Sequence, residues 1–198
     1  MTKKTKVRCS LCKKHECKYE QKDCFDSADA HLALYDDQIK HLHRAATAIE
    51  GRHYCQAPRL QEIMLFAKEA GFRKLGLAFC IGLAEEARII DEILSKEFEI
   101  ASVCCKLSAI DKRIFGLEQI DSDAEEVMCN PAGQADILNR AGTELNIICG
   151  LCVGHDAIFS LESKAPVTTL IAKDRVLAHN PVGAVYNQYV KKRFFQKT

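Results

Sequence analysis

Three short apolar runs, each leading directly into cysteine, constrain the fold of this chain more than any other feature. The runs and their cysteines are 75–79 before Cys80, 100–103 before Cys104 and Cys105, and 145–148 before Cys149. Apolar runs of this length, bounded by turn residues, are typical of buried β-strands. In open α/β sheets, ligands and chemistry collect at the carboxyl ends of parallel strands. If these strands are parallel neighbours, cysteines distant in sequence meet at one edge of a sheet.

Helical patterns alternate with the three predicted strands. Their apolar side chains recur at helical spacing over 58–70, 83–96 and 131–141. This alternation predicts an α/β, Rossmann-like three-layer domain with a mostly parallel central sheet. Two β-rich runs, 167–172 and 175–178, flank Lys173–Asp174 and predict a C-terminal β-hairpin. A closing amphipathic helix is predicted over 182–195.

The first 26 residues are rich in cysteine and poor in apolar side chains. The thiols follow the pattern Cys9-x2-Cys12-x4-Cys17-x6-Cys24. Such a segment cannot build a core unaided, and a bound metal would supply the missing folding free energy. The opening C-x2-C fits either zinc or an iron–sulfur cluster, and the remaining gaps match neither the bacterial ferredoxin run nor a paired zinc ribbon. We therefore expect a Cys-rich metal-binding knuckle at 1–26. Its metal either only stabilises the N-terminal structure or also has a functional role.

A long helix is predicted over 27–50, with Ser27 as its cap and one apolar stripe along it. The stripe either docks on the sheet or mediates a homodimer. The expected organisation is therefore the knuckle at 1–26 followed by an α/β domain at 27–198, on which the long helix packs.

Composition restricts the class of protein further. The 198 residues are 47% apolar and carry a net charge of +1, without tryptophan, so neither a nucleic-acid platform nor attraction to an anionic membrane is favoured. No apolar run is long enough to span a bilayer, and Met1–Lys6 is basic without a following apolar segment, so we expect no signal peptide and a cytoplasmic protein. Eleven cysteines in a reducing compartment favour metal ligation over disulfides.

Four thiols from four separate loops are candidates for one strand-end metal site. They are Cys80, Cys105, Cys129 and Cys152. Cys129 lies just before a helix that Asn130 caps, where the helix dipole stabilises a thiolate. Four such thiols suit a 4Fe–4S cluster, which we favour, or tetrahedral zinc. Because side chains alternate as a strand ends, only one of Cys104 and Cys105 faces the site, and Cys149 lies on its strand.

Two other interpretations of these cysteines stay open. In the first, the cysteines are small buried apolar side chains, a common role of free cysteine. In the second, Cys152 is a nucleophile with His155 and Asp156 beside it. Cationic groups at the same edge would orient a small anionic substrate. The candidates for catalytic roles are His155, Asp156, Lys173, Arg175 and His179.

Several segments together resemble a known family. They are 150–156, 165–181, 129–131 and the N-terminal cysteine run. The chain resembles the uncharacterised prokaryotic cysteine-rich metal-binding family known as domain of unknown function 1847. The resemblance covers essentially the whole chain. It implies a metal-binding protein of bacteria and archaea, common in anaerobes, in which the cysteines of the strand-end site are shared family positions.

Two hypotheses follow for function. The first is a cytosolic iron–sulfur enzyme, in which the strand-end thiols hold a cluster, with an open iron if only three ligate, and the neighbouring cations orient a small anion. In the second, the protein is a non-catalytic zinc or iron–sulfur sensor or a metal-handling protein. The N-terminal segment and long helix would then bind a partner, with Cys55 and Cys104 as switch thiols.

Overall fold

The computed structural model describes residues 7–196 of the chain. Contacts between residues divide the chain into two compact units, Met1–Arg44 and Ala45–Thr198. The sequence-based boundary between residues 26 and 27 stays a prediction. Within residues 7–196, no helix is both long and apolar enough to cross a membrane.

The first unit has little secondary structure and no core among its described residues. A 3-10 turn at Cys9–Leu11 precedes two short helices, α1 (Glu16–Tyr19) and α2 (Ala28–Leu32), and helix α3 (Asp37–His53) begins here. None of residues 7–44 is buried. Apolar burial therefore contributes little to the stability of this unit.

The second unit contains all the strands of the described chain. Its helices and strands after α3 are α4 (Arg59–Glu69), β1 (Lys74–Phe79), α5 (Ala84–Leu94), β2 (Glu99–Cys104), α6 (Pro131–Ala141), β3 (Leu145–Cys149), α7 (His155–Glu162), β4 (Val167–Ile171), α8 (Gly183–Tyr186) and α9 (Gln188–Phe195). The strands form one sheet in the order β2-β1-β3-β4, and every pair is parallel. The predicted α/β class with a parallel central sheet is confirmed.

The sheet is wound in two directions. The chain moves outward from β1 to β2, then returns past β1 to β3 and continues to β4. Right-handed crossovers place α5 on one face of the sheet and α6 and α7 on the other, and α6 packs against α7. Strand side chains such as Leu75, Leu77 and Ile147 are fully buried between these layers. The winding reverses between β1 and β3, which is where doubly wound sheets form their ligand-binding crevice.

A long excursion joins β2 to α6. We call residues 107–128 the excursion; it contains 3-10 turns at Leu107–Ala109 and Lys112–Phe115 and one antiparallel bridge between Asp111 and Val127. A partly buried ion pair stabilises the excursion, because Lys112 Nζ lies 2.8 Å from a carboxylate oxygen of Glu126. The excursion therefore has its own internal ties although it lacks a regular helix or strand.

The predicted C-terminal hairpin is wrong, because only β4 forms and residues 175–178 make a turn. The carboxylate of Asp174 accepts the backbone N–H groups of Val176 and Leu177 at 2.9 and 2.8 Å. The backbone N–H of His179 also donates to the carbonyl of Asp174 at 2.8 Å. These bonds close a compact turn where the apolar pattern indicated a strand.

Two helices predicted as continuous are each divided by a short polar side chain. The long helix predicted over 27–50 is interrupted between α2 and α3, where Asp36 accepts the backbone N–H of Ile39 at 2.8 Å. The closing helix is divided at Asn187, which accepts the N–H groups of Tyr189 and Val190. In both cases a side-chain acceptor caps a new helix start, and this bond outweighs the continuity of the apolar stripe.

Gly76 provides a test of the packing beneath the sheet. A Cβ at this residue would lie 2.0 Å from Oδ1 of Asn146. That amide cannot move freely, because it is fully buried and bonded to Thr143 and Ser163 at 2.8 Å. We expect Gly76→Ala to lower the free energy of unfolding by about 1–3 kcal/mol, measured by urea denaturation.

Gly51→Ala is the matched control, because it lies in α3 and a Cβ there meets nothing within 4 Å. It should leave stability unchanged or raise it by up to about 1 kcal/mol. Equal stabilities of the two variants would contradict the packing described at Gly76.

Candidate functional site

The strand ends deliver two thiols to one edge of the sheet. Phe79, the last residue of β1, pairs in register with Cys104 on one side and Cys149 on the other, so the three strands end at the same level. Cys80 and Cys105 are the next residues along β1 and β2, and both are buried. The expectation that parallel strands bring separate cysteines together is therefore met at these positions.

Cys129 reaches the same place through the excursion. The backbone N–H of Asn130 donates to the carbonyl of Cys105 at 2.8 Å, and Lys106 Nζ donates to the carbonyl of Val127. Asn130 also caps α6 by accepting the N–H of Gly133. As a result, the Cys105 thiol lies within hydrogen-bonding reach of the thiols of both Cys80 and Cys129.

Cys104 and Cys149 have different surroundings from these thiols. The Cys104 sulfur accepts the backbone N–H of Lys106 at 3.5 Å, and its residue does not line the cavity at the strand ends. Cys149 is fully buried within β3, and this burial raises its thiol pKa to about 11. Among these neighbours, Cys105 rather than Cys104 contacts the other strand-end thiols.

Backbone N–H groups point at the sulfur atoms after β1 and β2. The N–H of Ile81 donates to Cys105 Sγ at 3.4 Å, and the N–H of Gly82 donates to the sulfur of Cys80. Burial opposes ionisation of Cys80, yet the Gly82 bond and the Lys173 ammonium outweigh burial and lower its pKa. Burial raises the pKa of Cys105 to about 12, with a further contribution from Cys129. The surroundings of these two neighbouring thiols thus shift their pKa values in opposite directions.

Cys152 follows β3 and meets a guanidinium group. Arg175 Nη2 lies 3.0 Å from Cys152 Sγ. The loop that carries Cys152 comes close to the loop after β1, because Gly150 has φ +65° and a Cβ there would lie 2.8 Å from the side chain of Leu83. Only glycine combines this left-handed backbone with so close an approach.

A cavity of about 530 Å³ opens at this edge, between the strand ends and the excursion. Cys80, Cys129 and Cys152 line it. Of the predicted catalytic candidates, His155, Lys173 and Arg175 also line it. Burial lowers the pKa of His155, and the positive charge of Lys106 adds to that shift, so its imidazole is neutral at pH 7.

The other two catalytic candidates lie outside this cavity wall and are engaged with nearby backbone. Asp156 accepts the N–H groups of Gly154 and Ala157 at 2.9 Å. His179 Nδ1 accepts the N–H of Asp174 at 3.1 Å. Their contacts hold the start of α7 and the turn after β4.

Sequence reasoning missed residues that the excursion and α6 bring to the site. Those that line the cavity are Lys106, Lys112, Leu117, Ile120 and Met128. It also missed Gln134, which is fully buried and donates through Nε2 to the carbonyls of Phe79 and Val103 at 3.2 and 2.8 Å. Gln134 Oε1 is buried without a hydrogen-bond partner among the described residues. A glutamine on the inner face of a predicted helix was the one available signal.

The four N-terminal cysteines surround a separate cavity of about 300 Å³ within the first unit. Its wall includes Cys9, Cys12, Cys17 and Cys24, together with His15 and His31. The N–H of His15 donates to Cys12 Sγ at 3.4 Å. Desolvation and then the nearby Cys17 thiol raise the pKa of Cys24, so these thiols are electrostatic neighbours.

All eleven cysteines are free thiols. Within residues 7–196, no group of three or more His, Cys, Asp and Glu side chains has an arrangement that could hold a metal ion. The two thiol clusters therefore have ligands of a suitable type, but their side chains would have to turn to meet at one centre. Metal ligation at either cluster stays a prediction.

Comparisons with other proteins identify the family. The family model described as "Protein of unknown function (DUF1847)" matches residues 17–170. The chain belongs to this family. An uncharacterized protein of Methanocaldococcus jannaschii is 47% identical over 193 residues, which cover 96% of this chain and 99% of that protein. No solved structure matches the chain.

The matched region of DUF1847 contains every cysteine proposed for the strand-end site but begins at Cys17. It therefore excludes Cys9 and Cys12, and it ends before Lys173 and Arg175. The relative from M. jannaschii covers nearly the whole chain, so the membership does not rest on the matched region alone.

The contact between Lys173 and Cys80 gives a prediction about pH. Lys173 Nζ lies 3.4 Å from Cys80 Sγ and helps to lower the pKa of that thiol. Lys173→Met should raise this pKa, so less thiolate is present at a fixed pH below it. We expect alkylation of Cys80 by iodoacetamide in metal-free protein to slow severalfold at pH 8, and its pH midpoint to move upward. Mass spectrometry of the Cys80 peptide measures both.

Lys164→Met is the control, because Lys164 is exposed and lies outside the cavity wall. It should leave the alkylation rate of Cys80 unchanged. Identical pH profiles for the two variants would show that the ammonium of Lys173 does not act on Cys80.

Proposed function

We propose that this protein binds metal through cysteine at the strand-end edge, where Cys80, Cys105, Cys129 and Cys152 hold a 4Fe–4S cluster, with zinc as the alternative. The observation that carries the proposal is the hydrogen bonding of two of these sulfurs: Cys105 Sγ accepts the backbone N–H of Ile81, and Cys80 Sγ accepts from Lys173 Nζ, each at 3.4 Å. Hydrogen bonds to sulfur stabilise thiolate ligands and adjust the reduction potential of a cluster.

The donor set fits such a centre in its chemistry. Thiolate sulfur is the ligand that iron–sulfur clusters use and is a preferred ligand of zinc. Cys80, Cys105 and Cys129 already neighbour one another, and Arg175 interacts with the sulfurs of Cys152, Cys80 and Cys129. When bound, a cluster would supply electron transfer or a Lewis-acidic iron.

Cys152 differs from the other three thiols, because a guanidinium group contacts its sulfur. This difference supports three firm ligands and one position that can open to a substrate. An open position separates catalytic centres from structural ones. The proposal therefore extends to redox or sulfur chemistry on a small anionic substrate.

The chain's own groups have separate roles in this proposal. Lys173 and Arg175 hold negative charge beside the sulfurs. His155, which burial keeps neutral at pH 7, is available to accept a proton at a ring nitrogen. The excursion contributes part of the cavity wall.

The N-terminal cysteines form a second proposed site. Cys9, Cys12, Cys17 and Cys24 would hold zinc or a cluster, and the absence of buried residues from 7–44 supports a role for that metal in folding. Free thiols in this number also support a reducing, cytosolic location.

The alternative function is a non-catalytic sensor or metal-handling protein. The exposure of all four N-terminal cysteines favours it, because exposed ligands exchange metal with solvent or with a partner readily. Under this alternative, the strand-end site would hold metal without receiving a substrate.

Metal analysis of anaerobically purified protein tests the proposal directly. We expect the protein to contain iron and acid-labile sulfide and to be brown, with a broad absorption band in the visible region. A colourless protein with stoichiometric zinc would favour the alternative. Protein that contains neither metal after anaerobic purification, and takes up neither on reconstitution, would contradict both.

Adjacent cysteines provide matched variants for the strand-end site. Cys105→Ser should remove metal from that site, because its sulfur neighbours both Cys80 and Cys129. Cys104→Ser should retain it, because the Cys104 sulfur bonds to the backbone of Lys106 instead. Metal content per chain is the measurement.

Cys9→Ser is the second comparison, since it should lower metal content only at the N-terminal site. Equal metal loss in the Cys104 and Cys105 variants, with folding intact by circular dichroism, would show that the strand-end ligands are assigned wrongly.

A further inference from the structure

The cavity at the strand ends is larger than a metal centre requires. Its volume of about 530 Å³ lies in the range of sites for small organic molecules, roughly 300–1,000 Å³. One part of its lining consists of thiols and the cations Lys173 and Arg175, and another part comes from the excursion, which contributes apolar side chains and also Glu118 and Glu126. The chemistry of the two sides differs, which restricts the kind of ligand that would fit.

The first side offers positive charge. Lys173 and Arg175 contact sulfur atoms, and neither forms an ion pair with a carboxylate in the described part of the chain. Their charges are therefore available to an anionic group that enters the cavity. Charged groups in a shielded cavity attract an anion more strongly than they would in open water.

The other cations of the cavity are already used. Lys112 pairs with Glu126 and donates to the carbonyl of Glu118 at 2.9 Å. Lys106 donates to the carbonyl of Val127. The Lys112 bonds tie the excursion to itself, and the Lys106 bond ties its end to the chain that follows β2, so this part of the cavity wall is held in place.

That wall carries exposed apolar side chains. Leu117 is 45% exposed and Ile120 is 91% exposed, and Ile81 on the loop after β1 is 52% exposed. Met128 adds a flexible apolar surface beside them. Single exposed apolar residues are ordinary, but several on the wall of one cavity can shield the body of an apolar ligand.

We propose that this cavity binds an organic anion, with its charged head at Lys173 and Arg175 and its apolar body against Leu117, Ile120 and Ile81. The inference rests on the proposed function, because it names the class of substrate that would approach the metal centre. It excludes a bare inorganic anion as the preferred ligand, since such an ion would leave the apolar wall exposed.

The probe for this proposal is 8-anilinonaphthalene-1-sulfonate, which joins an anionic head to an apolar body and fluoresces when shielded from water. We expect the purified full-length protein, with its metal, to bind one equivalent. Leu117→Asp should weaken binding about tenfold, because it removes apolar contact and adds a negative charge. Ile120→Asp should do the same and, given the exposure of Ile120, tests the wall even if Leu117→Asp misfolds.

Two further variants complete the test. The first distinguishes binding of the anionic head of the ligand from binding of its apolar body, and the second is a control. Arg175→Gln should weaken the sulfonate probe about tenfold while leaving the uncharged N-phenyl-1-naphthylamine unaffected. Phe194→Asp is the control for non-specific binding, because Phe194 lines a different apolar cavity near the C-terminus. It should leave the binding of both probes unchanged.

Probe binding that survives both Leu117→Asp and Ile120→Asp, or that disappears only with Phe194→Asp, would overturn the proposal. Equal affinity for sulfate and for the sulfonate probe would overturn it as well, because the apolar wall would then contribute nothing. Metal content is measured in every sample. Protein that contains no metal and takes up none on reconstitution, but still binds the probe through Leu117 and Ile120, would contradict the proposed metal function while supporting the binding of an organic anion in this cavity.

Discussion

The site depends on the parallel pairing of β1 with a neighbour on each side. Hydrogen bonds fix the register so that Phe79 lies level with both Cys104 and Cys149. Because the strands run in the same direction, the residues that follow them emerge together at one edge of the sheet. A shift of one residue in either pairing would turn the cysteine away from the site, since strand side chains alternate between faces. The pairing of the backbone therefore determines where the thiols lie, and side-chain conformation has a smaller influence.

The groups around the sulfurs offset the cost of ionising a buried thiol. Buried thiols resist ionisation, and burial is the largest cause that raises the pKa values of Cys105 and Cys149. At Cys80 the loop after β1 and Lys173 reverse this effect with a backbone N–H group and an ammonium. At Cys152 a guanidinium group is the contact. Positively charged donors thus contact Cys80 and Cys152, which line the cavity, whereas Cys149 is fully buried in the core.

The sequence predicted the strands and helices that position this site, but it did not predict most of the residues that line the cavity. Strand-sized apolar runs, helix caps such as Asn130 and a terminating residue such as Gly142 are local features, so the α/β order could be derived from them. The errors share one cause, which is that short polar side chains accept backbone N–H groups and interrupt an apolar pattern. Asp36, Asp174 and Asn187 all do so. Periodicity records which side chains are apolar but not which backbone bonds will compete.

The sequence indicates an excursion over residues 107–128, but its position relative to the strand ends could not be derived from the sequence, for a different reason. Its position depends on tertiary contacts, chiefly the bond from Asn130 to the carbonyl of Cys105 and the bond from Lys106 to Val127. Lys106 belongs to no recognisable motif, and the role of Asn130 as a helix cap does not predict its bond to Cys105. The cavity wall that includes Leu117 and Ile120 follows from those contacts, and so its relation to the thiols became apparent only in three dimensions.

The turn after β4 has two separate structural roles. Its carboxylate at Asp174 fixes the loop, while the residues on either side, Lys173 and Arg175, extend toward sulfurs carried by other loops. The cations and the sulfurs they contact therefore lie on different stretches of chain. A change in the single turn that follows β4 would alter the charge of the cavity without altering any of the cysteines at the ends of β1 and β2.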